Sequence, residues 1–173
     1  MAKLRIQVDK ALFVEYKTKM APEDFQVFIR GFLEWQADLV TKRINEVVKR
    51  QLYTWSPLSP SWVQFKKRMG LSPRIWYASG QVLESIHYWY VPLGDQFFIG
   101  VHPTKRHRAY KKGGGIDQSK KGARIIDIIS WMETGTRKMP ARPLFSKVLG
   151  EFSSKSRQTA LYAQYIKNMK GLS

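Results

Sequence analysis

Residues 22–53, "PEDFQVFIRGFLEWQADLVTKRINEVVKRQLY", carry the apolar pattern that decides the fold. Apolar side chains recur at steps of three and four from Phe25 to Leu52, which is the signature of an amphipathic helix. Pro22 suits the first helical position, and the two acids after it suit the positive end of the helix dipole. Such a helix is about 48 Å long. Because some apolar residues lie off the main stripe, we expect a central core helix or one that also contacts another subunit.

The segment after the long helix predicts two short helices and a β-hairpin. Ser59 or Ser61 suits the N-cap of a helix that continues through Met69, and Ser79 suits the N-cap of a helix over "SGQVLESI". The runs "HYWYV" and "QFFIGV" have strand composition and are separated by the turn-forming "PLGD", so they predict two antiparallel strands. Before the long helix, the alternating "LRIQV" predicts a short first strand.

Two more helices are expected in the C-terminal part. The run "IIDIISWMETGT" predicts a helix that ends at Gly135. A second apolar stripe extends from Pro143 to about Lys170, with Pro143 at the first helical position. Between the two helices, Pro140 and Pro143 enclose Ala141 and Arg142 in a stiff joint.

Together these elements predict an α+β fold, with a small antiparallel sheet packed against long N- and C-terminal helices and a long basic loop. At 173 residues the chain is expected to form a single domain. Its sections are an N-terminal arm or strand (1–20), the long helix (22–53), the short helices and hairpin (55–102), the basic loop (103–124), and the helix, joint and C-terminal helix (125–173).

The chain is strongly basic. Thirty Lys and Arg residues against thirteen Asp and Glu residues give a formal net charge of +17 and an isoelectric point near 10.2. Such an excess usually accompanies a polyanion, most often nucleic acid, although solubility alone also produces it. The absence of cysteine excludes disulfides and thiolate sites. The first residues lack the apolar core of a signal peptide, and no apolar run is long enough to span a bilayer, so we expect a cytoplasmic origin and no membrane partner.

Much of the excess charge lies in residues 103–124, which contain eight basic residues and one acid. The stretch has three consecutive glycines and no periodicity, so it predicts a long mobile loop. The segment is expected to contact nucleic acid or, alternatively, an acidic protein neighbour. Its cations are the candidate nucleic-acid contacts: Lys105, Arg106, Arg108, Lys111, Lys112, Lys120, Lys121 and Arg124.

The sequence predicts no catalytic, metal or cofactor site. Its three histidines are not accompanied by cysteines or clustered carboxylates at metal-ligand spacing. The acids that could support hydrolysis, Glu84, Asp95, Asp127 and Glu133, are scattered, and the last two are better explained as solvated or capping charges. Ser79 lacks the Gly-x-Ser-x-Gly frame of a hydrolase nucleophile. We therefore expect a protein that is not an enzyme.

Tryptophan is dense between residues 55 and 89. Trp55, Trp62, Trp76 and Trp89 alternate with basic residues, which permits stacking on the bases of single strands. Large aromatic side chains more often anchor cores and interfaces, so we favour that interpretation.

Three motifs occur in order over about residues 55–150: "WSPLSPSWVQFKKRMGLSPRIWYASGQVLESI", "GDQFFIGVH" and "WMETGTRKMPARPLF". The first resembles the Trp-x-Pro-Leu-Ser and Ser/Thr-Gly-x-Leu-x-x-Ser-Ile run of the tail-completion, or virion-morphogenesis, proteins of long-tailed bacteriophages. The second is similar to their strand ending in a Gly-Val/Thr turn, and the third to their Glu-x-Gly-Thr and Pro-Ala-Arg-Pro joint. The resemblance marks the following family-motif or subunit-interface positions: Trp55, Pro57, Leu58, Ser79, Gly80, Glu133, Gly135, Thr136, Pro140, Arg142 and Pro143.

This resemblance implies a structural virion protein of the head–tail junction, made in the cytoplasm of the bacterial host. It implies a homo-oligomeric ring, of six copies, that contacts other neck, connector and tail-tube proteins. The ring would surround packaged double-stranded DNA without reading its sequence. The alternative, from the charge alone, is a non-specific nucleic-acid-binding protein that forms no ring.

The resemblance also implies a role for Arg142, whose guanidinium is expected to bind a carboxylate or carbonyl of the neighbouring subunit. A solvated arginine in a stiff loop is the alternative. Either interpretation predicts that Arg142→Ala leaves the fold intact, whereas Trp55→Ala damages it.

Overall fold

The long helix is the centre of an α+β fold, as the computed structural model shows for residues 4–5, 21–91, 96–101, 104–110 and 116–170. The elements in chain order are β1 (Leu4–Arg5), α1 (Pro22–Arg50), α2 (Pro60–Arg68), α3 (Gln81–Glu84), β2 (His87–Val91), β3 (Gln96–Gly100), β4 (Arg106–Tyr110), β5 (Ile116–Arg124), α4 (Ile125–Thr134), α5 (Phe145–Ser153) and α6 (Lys155–Lys170). The expected class, a small antiparallel sheet with long terminal helices, is confirmed.

Helix α1 is a core helix along most of its length. Its buried side chains are Phe28, Phe32, Leu33, Gln36, Ala37, Val40, Ile44, Val47 and Val48. They contact the sheet on one side and α5 and α6 on the other, which explains why apolar residues lie off the main stripe. The helix ends at Arg50, three residues before the predicted end, because Gln51 takes a left-handed conformation and its N–H bonds the carbonyls of Val47 and Val48.

A three-stranded antiparallel sheet of order β1-β3-β2 packs against α1. Phe97 and Ile99 of β3 are 3% and 2% exposed and belong to the core. Trp89 and Phe98 stack with ring centroids 6.1 Å apart, and Trp89 remains 42% exposed. The predicted strands are confirmed, whereas the "PLGD" turn and the rest of the N-terminal arm lie outside the described residues.

The C-terminal region contains two helices rather than the single one predicted. Helix α5 ends at Ser153, and Ser154 is extended, with φ −67° and ψ 142°. The Ser154 hydroxyl accepts a hydrogen bond from the Arg157 N–H at 3.3 Å, which starts the next helix. Helix α6 then packs closely on α1 at Gly31. The Tyr165 hydroxyl of α6 is so near that a Cβ at Gly31 would lie 2.6 Å from it. Gly31 therefore permits a close helix contact.

The basic segment is not an irregular loop where the structure describes it. Strands β4 and β5 pair antiparallel in a separate two-stranded sheet, and the register shifts twice between the described pairs. The sequence shows no strand periodicity because these shifts, or bulges, interrupt the alternation of side chains. We refer to β4 and β5 as the basic hairpin.

The basic hairpin requires glycine at residue 122, which yields the first testable prediction. A Cβ there would overlap the backbone carbonyl oxygen of His107, and no change of side-chain rotamer relieves that clash. We expect Gly122→Ala to separate the strands and to accelerate amide hydrogen exchange in β4 and β5, while the core around α1 keeps its protection.

Gly150→Ala is the matched control, because a Cβ at Gly150, within α5, meets no atom within 4 Å. This change should leave exchange in the hairpin unaltered and stabilise α5 by roughly 0.5–1 kcal/mol. Equal exchange rates in the hairpins of the two variants would contradict the assigned strand contact.

Candidate nucleic-acid interface

Cations face cations across the basic hairpin. Arg106 of β4 is paired with Arg124 of β5, and Arg108 is paired with Lys121. Residues directly opposite in an antiparallel pair project from the same face, so the four side chains form a ladder of like charge. All four side chains are exposed. We call this set the cationic ladder.

The other face of the hairpin packs onto the body of the protein. His107 and Ala123, which alternate with the ladder residues, both line an apolar cavity. At the base of the hairpin, the Ile125 N–H donates to the Lys105 carbonyl at 2.9 Å. The ladder therefore projects from a strand pair whose opposite face is fixed to the body.

The loop before α3 holds β4 in place. The Gln81 side-chain oxygen accepts a hydrogen bond from the Arg108 N–H at 2.9 Å, and the Ser79 hydroxyl lies 3.4 Å from His107 Nε2. Gly80, with φ +82°, occupies the N-cap position of α3. The prediction that Ser79 caps this helix is wrong, because Ser79 contacts the hairpin instead.

Few carboxylates neutralise the ladder. Arg124 forms an ion pair with Asp127 at 2.8 Å, and this hydrogen bond holds the pKa of Asp127 below its usual value. Within the described part of the chain, Lys105, Arg108 and Lys121 have no acidic partner within salt-bridge distance. The hairpin thus presents uncompensated positive charge.

The other predicted cations of this segment cannot be placed on the ladder. Lys111 and Lys112 lie outside the described residues. Lys120 belongs to β5, but only its backbone is described.

The segments around Trp55 and Arg142 are joined by hydrogen bonds within the chain. The Trp55 indole donates to the Pro143 carbonyl at 2.9 Å. The Arg142 guanidinium donates from Nε to the Ser56 carbonyl at 2.8 Å and from Nη2 to the Pro57 carbonyl at 2.9 Å. We call this contact between residues 55–57 and 142–143 the clasp.

The sequence suggested that Arg142 either binds a neighbouring subunit or is solvated in a stiff loop. In the structure it does neither. The side chain is 2% exposed, and both carbonyls that it binds belong to its own chain. Its backbone also takes part, because the Trp76 indole donates to the Arg142 carbonyl and the Arg142 N–H donates to the Met132 carbonyl. Burial lowers the pKa of Arg142, and its Nη1 has no hydrogen-bond partner among the described residues.

Glu133 caps α5, which confirms one of its two predicted roles. Its carboxylate accepts hydrogen bonds from the N–H groups of Leu144 and Phe145 at 2.6 and 2.7 Å and from the Ser146 hydroxyl at 2.9 Å. A carboxylate is stabilised there by the unpaired N–H groups and the positive end of the helix dipole. Pro143 precedes the helix, which starts at Phe145, so its predicted place at the first helical position is wrong.

The remaining motif residues form the tight turn between α4 and the clasp. Gly135 ends α4 with φ +77°, and a Cβ there would lie 2.7 Å from the Ala141 nitrogen, so glycine is required. Thr136 and Met139 exchange backbone hydrogen bonds of 2.8 and 3.1 Å. Pro140 is exposed beside this bridge.

An apolar cavity of about 470 Å³ lies under the hairpin, and sequence reasoning did not find it. The lining includes Leu58 and the half-exposed rings of Trp62, Phe65 and Trp131, whose exposures are 48%, 37% and 47%. Trp62 and Phe65 stack at 4.9 Å. The three-residue spacing of Trp62 and Phe65 predicts that the two rings lie on one face of α2. No local pattern connects them to Trp131, which comes from a distant segment.

The expectation that the tryptophans anchor the core or an interface is confirmed for two of them as core residues. Trp55 and Trp76 are 9% and 5% exposed and lie in the core cluster. Trp62 and Trp89 keep about half of their surface exposed, with values of 48% and 42%.

Among the residues that the structure describes, no group of three His, Cys, Asp or Glu side chains could hold a metal ion. No helix in the same part of the chain is long and apolar enough to cross a bilayer. Comparison with protein-family models, curated proteins and solved structures finds no match for this chain. The functional argument therefore rests on the residues themselves.

Proposed function

We propose that this chain is a structural virion protein of a tailed phage, which forms a ring around the DNA channel at the head–tail junction. The observation that carries the proposal is the cationic ladder, a row of like charges held on a fixed hairpin. The likeness of the three motifs to tail-completion proteins supports the place in the virion.

The ladder is destabilising for the free subunit. Like charges directly opposite on neighbouring strands repel each other. This repulsion would be relieved if the two strands shifted to a different register. A polyanion beside the ladder removes the repulsion and releases the counterions that it has condensed. The ladder is therefore most stable when a phosphate backbone lies along it.

The ladder fits backbone contact better than base readout. Its residues are long, exposed cations on a two-stranded sheet, and its described tryptophan neighbours line the cavity on the opposite side. Arginine and lysine contacts to phosphates position a protein on DNA without selecting a sequence. This property suits a ring through which any part of a genome passes.

The second prediction tests the ladder with Arg106→Gln, Arg108→Gln and Lys121→Gln together. We expect weaker binding to a short double-stranded DNA of mixed sequence, with a flatter dependence of log affinity on log salt. If each side chain contacts one phosphate, the slope should fall by about 2.7 per subunit. The measurement is fluorescence anisotropy over a series of salt concentrations.

The matched control removes the same charge from exposed lysines elsewhere, with Lys49→Gln, Lys155→Gln and Lys167→Gln. It should change the slope much less than the ladder variant. Equal slopes for the two variants would assign the DNA affinity to net charge alone and would remove the ladder from the proposal.

The ring itself is tested by electron microscopy of the purified protein, alone and with DNA and phage tails. Closed rings, and rings on the head-proximal end of tails, are expected. Separate subunits distributed along DNA, with none on tails, would instead identify a non-specific nucleic-acid-binding protein.

A further inference from the structure

The apolar cavity contains buried positive charge without a counter-ion. Lys66 lines it, is only 6% exposed, and donates its hydrogen bond to the Arg74 carbonyl at 2.8 Å. Burial, with a smaller contribution from the charge of Arg142, lowers the pKa of Lys66 to about 8. Neither cation forms a salt bridge with a carboxylate in the described part of the chain. An isolated buried charge is costly, so an anion at this cavity would be stabilising.

The mouth of the cavity is aromatic and its surroundings are basic. Trp62, Phe65 and Trp131 line the opening with partly exposed rings, which is more apolar surface than one isolated exposed residue. Residues 55–83 contain no acid, and Lys67 and Arg68 are exposed on the same helix as Trp62. The fitting partner has an apolar side chain next to carboxylates.

The start of α1 has this composition. Glu23 and Asp24 are exposed in its first turn, and neither carboxylate has a hydrogen bond or ion pair with another described residue. Val27 is on the same side of the helix, at steps of three and four from the acids, and is 72% exposed. We call these three residues the acidic tip.

The acidic tip and the cavity lie at opposite ends of α1. Gln51, directly after the helix, accepts a hydrogen bond from the N–H of Ile75, which lines the cavity. The Lys49 carbonyl accepts another from the Arg74 guanidinium. Because α1 has 29 residues, its ends are about 43 Å apart. The tip of a chain therefore cannot reach its own cavity.

We propose that the acidic tip of one copy docks over the cavity of the next copy, with Val27 against the aromatic mouth and the two carboxylates towards the basic surroundings. This inference rests on the proposed ring and names its subunit contact. Two different surfaces meet, so the interface is heterologous and repeats from copy to copy until a rotation closes it.

Engineered cysteines test the contact directly, because the native chain has none. A copy with Val27→Cys is mixed with a copy with Trp131→Cys and treated with a short bismaleimide. The expected product is a covalent pair of the two copies. The control partner carries Trp89→Cys, which is 42% exposed on the sheet and so has similar reactivity.

Cross-linking of Val27→Cys to the Trp89→Cys control as efficiently as to Trp131→Cys would overturn the proposal. So would a predominant Val27-to-Val27 product, which indicates a two-fold contact. A wild-type chain that sediments as a monomer up to its solubility limit would overturn it as well.

Complementary variants provide the second test. Glu23→Lys with Asp24→Lys reverses the charge of the tip, and Trp62→Ala with Trp131→Ala removes the aromatic mouth of the cavity, so the two altered surfaces do not attract each other. Each variant alone should sediment as a monomer, and an equimolar mixture should form a 1:1 pair and stop, because one intact tip and one intact cavity remain. Assemblies larger than the pair in this mixture would overturn the proposal.

The control for charge reversal is Glu34→Lys with Glu84→Lys, two exposed acids outside the tip. This variant should associate as the wild type does, and its loss of association would contradict the assignment to the tip. Closed rings without a link from Val27 to Trp131 would retain the proposed ring and reject this contact. Open chains with that link would retain the contact and reject the ring.

Discussion

Truncation of Trp55 to alanine is expected to lower the free energy of unfolding by about 3 to 5 kcal/mol. The ring lies in the core cluster and packs edge-on against Tyr53, with centroids 5.7 Å apart. Its loss leaves a large void and also removes the hydrogen bond to the Pro143 carbonyl. Chemical denaturation followed by circular dichroism measures the change.

Trp89→Ala is the control for Trp55, because it removes the same atoms from a side chain that is 42% exposed and lies outside the proposed subunit contact. Its cost should stay below about 1 kcal/mol, since surface substitutions rarely exceed that. Similar costs for the two truncations would show that the burial assigned to Trp55 does not determine stability.

Arg142→Ala is expected to destabilise the fold by about 3 kcal/mol, which reverses the prediction made from the sequence. The change leaves the Ser56 and Pro57 carbonyls without their donors and opens a void in the clasp. Removal of a buried cation without a counter-ion offsets part of this cost, so the value stays below the sum of two charged hydrogen bonds and the lost packing. The measurement is again denaturant unfolding.

Arg137→Ala is the matched control, because Arg137 lies in the same turn and is exposed. It should be within about 0.5 kcal/mol of the wild type. Arg142→Lys should not restore stability, because an ammonium group lacks the planar fork that binds two carbonyls. Wild-type stability of Arg142→Ala, together with impaired assembly, would return Arg142 to the role inferred from the family likeness.

The sequence predicted the elements whose burial is periodic along the chain. Helix α1 and the strands β2 and β3 have residue patterns that match their backbone geometry, and the ends at Ser59 and Gly135 follow from local capping chemistry. These features depend on neighbours within a few residues. Local sequence is therefore sufficient to locate them.

The basic hairpin could not be predicted in this way. Its strands contain opposed cations and bulges, and they are held by contacts from distant residues, such as Gln81 to the Arg108 N–H and Ser79 to the His107 ring. Tertiary contacts outweigh weak strand propensity here. The identity of the candidate cations was readable, but their arrangement as a ladder was not.

The clasp and the cavity could not be predicted either, because both are formed by residues far apart in sequence. Arg142 is buried because two carbonyls 85 and 86 residues earlier in the chain receive its guanidinium. The mouth of the cavity combines Trp62 and Trp131, which no local pattern connects. Trp55, Arg142 and Pro143, which the resemblance marked as family-motif or subunit-interface positions, make hydrogen bonds within one chain.

The clasp also closes a long loop of the chain. It joins residues 55–57 directly to residues 142–143, and the Trp55 and Pro143 ends of this contact are 88 residues apart in sequence. The strands β2 and β3 and the basic hairpin all lie between these two segments in sequence. Closing such a long loop costs chain entropy, so the clasp raises the contact order of the fold and is expected to slow its folding.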